Sequence, residues 1–252
     1  MAEWVWEPDD FASLWYHDGI DRFPRPLHFL SRYQSLDDYQ AHRTRVLAAL
    51  DPDEHELIRL ALHTLTFGQL RIEIRGGSTA SVPGSMREYR IVGAQNGLHG
   101  VTLAQAIVDR VDGPIHGRLF PADQLARRLA ARVPHCRPGG HAPITVDVAD
   151  LDAPTLRSYA RRSPAEAYTA LKQRPIDGGG RAELLVGHIL DRPDPWYTTQ
   201  WIDLTGDGRY LQRRTDNRIT VRPAVADDLT VGFTGWIERA QRRLREDELA
   251  VW

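Results

Sequence analysis

The spacing of apolar side chains predicts two amphipathic helices in the first part of the chain. Within residues 36–50 and 57–65, apolar residues recur three or four positions apart and fall on one helical face. Ser35 and Asp51 precede these stretches, and their side-chain oxygens can accept hydrogen bonds from the first free backbone N–H groups of a helix. We therefore predict that Ser35 and Asp51 are helix N-caps.

The period of the pattern changes to two at Leu70, which predicts a strand with one buried face. Its expected inward residues are Leu70, Ile72 and Ile74, and its expected outward residues are Arg71, Glu73 and Arg75. Small residues follow as a predicted loop, which consists of Gly76, Gly77, Ser78, Thr79, Ala80, Ser81, Val82, Pro83, Gly84 and Ser85. Three further strands are expected, with turns at Asn96-Gly97 and Asp112-Gly113, and then a helix from Pro121.

The second half of the chain repeats this change of period. A short strand is expected at 144–148, and helices are expected at 152–160 and 164–173. Gly178-Gly179-Gly180 is expected to interrupt the chain, because glycine weakens both helices and strands. The last predicted elements are strands at 182–190, 196–203, 209–215 and 218–222 and an amphipathic helix that begins at Pro223-Ala224.

The two halves show the same order of predicted elements: two helices, four strands and one helix. Both final helices follow a Pro-Ala pair, at Pro121-Ala122 and Pro223-Ala224. We therefore expect an α+β fold with a mostly antiparallel central sheet, flanking helices and a pseudo-two-fold internal duplication. Residues 1–134 and 144–252 would form two similar halves of one compact domain, linked by the Pro- and Gly-rich residues 135–143. Without duplication, an antiparallel α+β protein can also show this order by chance.

The composition disfavours several classes of protein. Of the 252 residues, 42% are hydrophobic and 26% are charged, which is ordinary for a folded globular protein. The formal net charge of −2 argues against nucleic acid as the main partner, because phosphate backbones attract proteins with a clear positive excess.

The same sequence predicts a cytoplasmic protein with no membrane insertion. No apolar run reaches the ~18 residues expected of a membrane-spanning helix. The first residues lack the basic start and apolar segment of a secretory signal. The one cysteine, Cys136, cannot form an internal disulfide, which fits a reducing compartment.

Residues 203–208 resemble the first half of a calcium-binding loop. The twelfth position of such a loop requires a glutamate, but Arg214 stands there, and its positive charge would repel the ion. A hairpin turn at Gly206-Asp207-Gly208 is therefore the favoured interpretation.

His135, Cys136 and His141 are the remaining candidates for metal binding or catalysis. They lie close together in the sequence, but no second pair of ligands accompanies them. We expect no enzyme activity, no metal and no cofactor. A metal-dependent or small-molecule enzyme that uses these three residues is kept as an alternative.

Two blocks of sequence resemble the EspG family. Near the C-terminus, residues 201–211 (WIDLTGDGRYL) lead to residues 219–224 (ITVRPA), which is similar to the C-terminal hairpin of that family and the start of its last helix. Near the N-terminus, residues 11–15 (FASLW) followed by residues 23–27 (FPRPL) are similar to the family's opening. The order of these blocks along nearly the whole chain carries the resemblance.

The resemblance implies a mixed α/β fold with quasi-two-fold symmetry and a role as a cytoplasmic chaperone or adaptor. Such a protein would bind helical substrates of ESX, or type VII, secretion, for example a PE/PPE-like heterodimer, and keep them soluble for export. The resemblance also implies that a C-terminal helical bundle and the loop after the first core strand contact the partner. That loop corresponds to Gly76–Ser85 in this chain, so its residues are candidate partner-binding residues.

Two alternatives to this binding role concern the same predicted elements. The loop at Gly76–Ser85 could be a plain hairpin connection that contacts no partner. The whole chain could also be a structural or regulatory module that forms a homodimer through an open edge of its sheet.

Overall fold

A computed structural model of the protein describes residues 1–17, 19–80, 85–151, 163–225 and 227–250. Within these residues the strands are β1 (Ala2–Trp6), β2 (Leu70–Ser78), β3 (Arg87–Asn96), β4 (His99–Val108), β5 (Val111–Pro121), β6 (Ile144–Asp147), β7 (Ile176–Val186), β8 (Tyr197–Leu204), β9 (Gly208–Arg214) and β10 (Arg218–Pro223). The helices are α1 (Pro8–Trp15), α2 (Leu36–Ala48), α3 (Pro52–Phe67), α4 (Leu125–Ala130), α5 (Val148–Leu151), α6 (Pro164–Lys172) and α7 (Asp228–Ala250).

All of these strands lie in one sheet, in the order β1-β5-β4-β3-β2-β7-β8-β9-β10-β6. Every neighbouring pair is antiparallel, which confirms the predicted α+β class and the antiparallel sheet. Counted outward from the central pair β2 and β7, the strand order is β2-β3-β4-β5-β1 on one side and β7-β8-β9-β10-β6 on the other. The internal duplication itself stays a prediction.

Helices cover both faces of the sheet. On the side that we call face 1, α4 and α7 pack over a core that extends across both halves and includes Ile72, Leu129, Trp201 and Phe233. On the opposite side, face 2, the segment that contains α1–α3 covers strands of the first half. A third cluster, built from α5, α6 and strands β6 and β8–β10, covers face 2 of the second half.

The predicted N-caps are confirmed. Ser35 Oγ accepts a hydrogen bond of 3.1 Å from the backbone N–H of Asp38, and Asp51 Oδ1 accepts one of 2.9 Å from Asp53. The helix that Ser35 begins contributes little to the core, because most of its residues are exposed, including Leu36 at 72%.

The predicted outward face of β2 is wrong for two of its three residues. Arg71 and Glu73 are buried, and Arg71 Nε donates to Glu73 Oε1 at 3.0 Å. The remaining guanidinium N–H groups donate to backbone carbonyls of residues 187, 188 and 191, between β7 and β8. Burial is tolerated because the two opposite charges neutralise each other. It is also tolerated because Arg71 donates hydrogen bonds to loop carbonyls that would otherwise lack partners.

Two glycine-rich segments that we predicted to be irregular belong to strands. The strand β2 continues through Gly76 and Gly77 to Ser78, and Gly178-Gly179-Gly180 lies inside β7. The reason is that the two segments pair with each other, Gly76 with Gly180 and Ser78 with Gly178.

Further boundaries differ from the predictions. The turn between β4 and β5 is at Asp109-Arg110, which have φ values of 51° and 65°, and not at Asp112-Gly113. Pro223 ends β10, and α7 begins only at Asp228. The strand β1 and the helix α1 were not predicted, and the helix expected at 152–160 lies outside the described residues.

Candidate partner-binding site

The candidate residues Gly76–Ser85 begin in β2 and continue into its connection to β3. Gly76, Gly77 and Ser78 are strand residues, whereas Thr79 and Ala80 begin the connection and Ser85 lies near its end. Ser81–Gly84 are outside the described residues. The backbone N–H of Thr79 donates to the carbonyl of Asp177 at 2.8 Å, so the connection is attached to the start of β7.

Glycines leave the backbone of two central strands without side chains at this end of the sheet. Gly77 pairs with Gly179. Because side chains alternate along a strand, a side chain at either position would lie on face 2. On face 1, a Cβ at Gly76 would overlap the Tyr89 hydroxyl, and a Cβ at Gly180 would overlap the Trp201 ring. Glycine is therefore required at 76 and 180 by close packing rather than by turn formation.

The Tyr89 side chain fixes this glycine segment from face 1. Its hydroxyl donates to the carbonyl of Gly179 at 3.0 Å. Burial raises the pKa of Tyr89 to about 12, so the hydroxyl stays protonated and remains a donor at neutral pH.

A cavity of about 840 Å³ opens over the glycine segment on face 2. One wall is the chain between α1 and α2, residues 23–28, and the other includes Ile176 and Ile202. Met86, next to the candidate loop, also lines it. We call this cavity the central groove; it lies between the helical layers that cover face 2 of the two halves.

The rim of the central groove is partly apolar and partly cationic. Met86 and Ile176 are exposed apolar side chains, at 44% and 55%. Arg25, Arg75 and Arg90 also line the groove, and Arg90 lies 3.6 Å from Glu88. An apolar surface with a charged rim is typical of a site that binds another protein.

Only part of this groove was predicted from the sequence. Gly76–Ser85 were the candidate residues, whereas residues 23–27 entered only through the family resemblance and Ile176 and Ile202 were not predicted. The recurrence of glycines at 76–77 and 178–180 was the available signal, because paired glycines often mark a place where something approaches the backbone closely.

Two residues of the enzyme alternative, Cys136 and His141, have other partners, and the third, His135, is exposed. Burial raises the pKa of the Cys136 thiol, and so does the nearby carboxylate of Asp203, which keeps the thiol protonated and weakly nucleophilic. His141 Nε2 lies 2.8 Å from Arg174 Nη1 and 3.4 Å from Asp207 Oδ2. In the part of the chain that the structure describes, no group of three or more His, Cys, Asp or Glu side chains is arranged to hold a metal ion.

The segment that resembles half a calcium loop is a hairpin, as predicted. The strand β8 ends at Leu204 and β9 begins at Gly208. Both oxygens of Asp203 accept hydrogen bonds from Arg209, at 2.7 and 2.8 Å, so this carboxylate is already neutralised.

Comparison with known proteins identifies the family. A model of the EspG family matches residues 7–232. The chain belongs to the EspG family. EspG proteins are chaperones associated with ESX, or type VII, secretion, so the chain has a role in protein transport.

The EspG match includes strands β2–β10 and all the candidate residues Gly76–Ser85. A comparison with curated proteins finds no match. Across the residues that the structure describes, no helix combines the length and the apolar character needed to cross a membrane.

Proposed function

We propose that this EspG protein is a cytoplasmic adaptor that binds helical substrates of type VII secretion, of the PE/PPE kind, and keeps them soluble for export. The observation that carries the proposal is the central groove, which lies beside the loop that the family resemblance associates with partner binding. The protein would act by covering an apolar surface of its client and would catalyse no reaction.

The shape of the groove supports a protein client. At Gly179 the floor is bare backbone, whereas the Met86 side chain lies over Gly77, so a partner can approach the sheet most closely beside Gly179. Met86 and Ile176 supply apolar contacts on opposite sides of this floor. A helical tip with a few apolar side chains would bury these contacts in the way that helix-in-groove complexes do.

The charge of the rim refines the expected client. The side chains of Arg25 and Arg75 form neither a hydrogen bond nor an ion pair with any other residue in the described part of the chain. We expect the client to place an acidic side chain, or the C-terminal end of a helix, near these two arginines. The C-terminal helices are proposed as a second contact surface, on the family resemblance alone.

Two rim substitutions test the groove. Met86→Asp and Ile176→Asp should each weaken co-purification with small helical proteins encoded at the same locus, because a carboxylate would be buried at an apolar contact. The control is Leu98→Asp, since Leu98 is 84% exposed and lies in the β3–β4 turn, away from the groove. Equal binding by all three variants would exclude the groove as the contact site.

A loop replacement tests candidate residues 79–85 together with Met86. Ser78 pairs with Arg87, so replacing residues 79–86 with Asn-Gly should close a two-residue hairpin in the native register. We expect a folded protein with weaker client binding. An unchanged dissociation constant would remove both the loop and Met86 from the proposed site, because the replacement deletes both.

A further inference from the structure

A second cavity, of about 260 Å³, lies on face 1 of the sheet. It is bounded by strands β2–β5 and by the chain that follows α4. Its floor includes Ile91, Ala104 and Ala106. The two alanines alternate along β4 and place only methyl groups on face 1, which leaves the space open.

Two arginines and one histidine from different segments line this cavity. Arg87 comes from β3, His116 from β5 and Arg132 from the turn after α4. Within residues 1–17, 19–80, 85–151, 163–225 and 227–250, none of these three side chains forms a hydrogen bond or an ion pair. A third arginine, Arg118, lies nearby and is paired with Glu3 at 3.0 Å.

Positive charges around the cavity disfavour one another, and they disfavour the protonated form of His116. Burial lowers the pKa of His116, and the charges of Arg132, Arg118 and Arg87 lower it further. Burial and the charge of Arg118 likewise lower the pKa of Arg132. Such repulsion costs free energy in the empty site and would be relieved by a bound anion.

The arrangement differs from an ordinary basic surface. The protein carries a formal net charge of −2, so this concentration of basic side chains is local. A cavity with apolar walls strengthens the field of the charges that line it. Two hydroxyl-bearing residues, Ser78 and Tyr89, also line the cavity, and the Ser78 hydroxyl can donate to an anion.

We propose that this cavity, which we call the anion pocket, binds an oxyanion group, either a phosphate-like tetrahedral anion or a carboxylate, between Arg87, His116 and Arg132. Guanidinium groups bind both kinds of oxyanion through paired N–H donors. The volume admits one such group with a small attached body. The pocket opens on the face opposite the central groove, so this site is additional to the one proposed for the client.

The test uses sulfate and acetate as probes on the full-length protein. Binding is measured by calorimetry and by the shift in Tm, at constant ionic strength set with sodium chloride. We expect saturable binding of at least one probe, and the preferred probe identifies the kind of oxyanion. The double variant Arg87→Gln/Arg132→Gln should lower that affinity about tenfold or more, because two charge-assisted contacts are removed.

Two controls separate a specific site from general effects of charge. Arg245→Gln removes an exposed arginine on α7, distant in the sequence from the pocket, and should leave the affinity unchanged. Arg132→Lys keeps the charge and should retain part of the affinity, provided that circular dichroism shows native folding. No saturable binding to the wild type, or an equal loss in the Arg245 variant, would overturn the proposal.

The pH dependence gives an independent readout. Sulfate keeps its charge between pH 8 and pH 5.5, so a rise in affinity over that range reports protonation of the protein. The charged groups that face His116 are Arg87, Arg118 and Arg132, together with Glu3, which is paired with Arg118. We expect the rise in wild type and its absence in His116→Gln; an equal rise in both would exclude His116 from the site.

The client experiment and the anion experiment can each contradict one proposed site without contradicting the other. The variants of Arg87, His116 and Arg132 leave Met86 and Ile176 intact, so they should keep client binding. If the groove variants keep client binding while sulfate or acetate still binds, the groove is assigned wrongly. If neither anion binds while the groove variants lose client binding, the anion pocket is assigned wrongly.

Discussion

Arg71 and Glu73 are charged residues in the middle of the sheet, and their contacts explain why burial is tolerated. Their ion pair is almost wholly shielded from solvent, with side chains 3% and 7% exposed. Arg71 also donates three hydrogen bonds to backbone carbonyls between β7 and β8. The pair therefore ties β2 to the second half of the chain.

Arg71→Ala should destabilise the protein by about 3–5 kcal/mol, because it leaves the Glu73 carboxylate buried without its partner. Urea denaturation measures the free energy of unfolding. Arg59→Ala is the matched control, since Arg59 forms an exposed pair with Glu56 at 2.7 Å. That change should cost less than about 1 kcal/mol. Equal losses in the two variants would contradict the role assigned to the buried pair.

Asp207 attaches the chain between α4 and β6 to the β8–β9 turn. Its carboxylate accepts hydrogen bonds from the backbone N–H of Gly140, at 2.7 Å, from the Tyr210 hydroxyl, at 2.9 Å, and from Arg174. Burial acts to raise its pKa, but these hydrogen bonds prevail and lower the pKa to about 2.

The lowered pKa gives the stability a pH dependence of known sign. The ionised carboxylate is the form that the native state favours, so its contribution is complete above the ordinary pKa of 3.8 and is lost as the pH falls toward 2. Asp207→Asn should therefore cost on the order of 2 kcal/mol at pH 7. The difference from wild type should shrink when urea denaturation is repeated between pH 4 and pH 3. A constant difference would show that the charge of Asp207 is not responsible.

At the scale of elements, α7 contains a glycine that its position does not require. A Cβ at Gly232 would have no neighbour within 4 Å. Alanine is a better helix former than glycine, so Gly232→Ala should stabilise the protein by about 0.5–1 kcal/mol. The midpoint of thermal unfolding should rise accordingly.

Gly180→Ala is the opposite case and serves as the comparison for Gly232→Ala. The added methyl group would overlap the buried ring of Trp201, which belongs to the core on face 1. Overpacking of this kind costs about 1–3 kcal/mol. Stabilisation by both substitutions would mean that the ring of Trp201 adjusts freely.

The same glycines show where sequence reasoning succeeds and where it fails. Local signals sufficed for the caps of α2 and α3, for the Asn96-Gly97 turn and for most strands, because each depends on residues near in sequence. The strand character of Gly178–Gly180 depends on pairing with Gly76–Ser78, about a hundred residues earlier. No local pattern contains that information, so both segments were assigned to irregular structure.

At the scale of the molecule, the candidate site exists only because the halves meet. The loop residues follow β2, whereas the opposite wall of the central groove comes from β7 and β8. The sequence could therefore predict one side of the site and the class of fold, but not the groove, which requires the register between β2 and β7. The anion pocket was missed for a similar reason, since Arg87, His116 and Arg132 converge from three segments.

The proposed division into residues 1–134 and 144–252 leads to a prediction about cooperativity. The core on face 1 joins Ile72 and Leu129 of the first half to Trp201 and Phe233 of the second. The first half alone would leave β2 as an open edge and expose its share of that core, which favours aggregation.

We therefore expect the full chain to unfold in a single transition, with coincident urea curves from circular dichroism and tryptophan fluorescence. Residues 1–134 expressed alone should be insoluble or bind a hydrophobic dye, and co-expression with residues 144–252 should restore a soluble complex, because nine cross-strand pairs join β2 to β7. Two separate transitions, or a soluble and folded first half, would show that the halves are independent domains and that the groove between them is not a fixed surface.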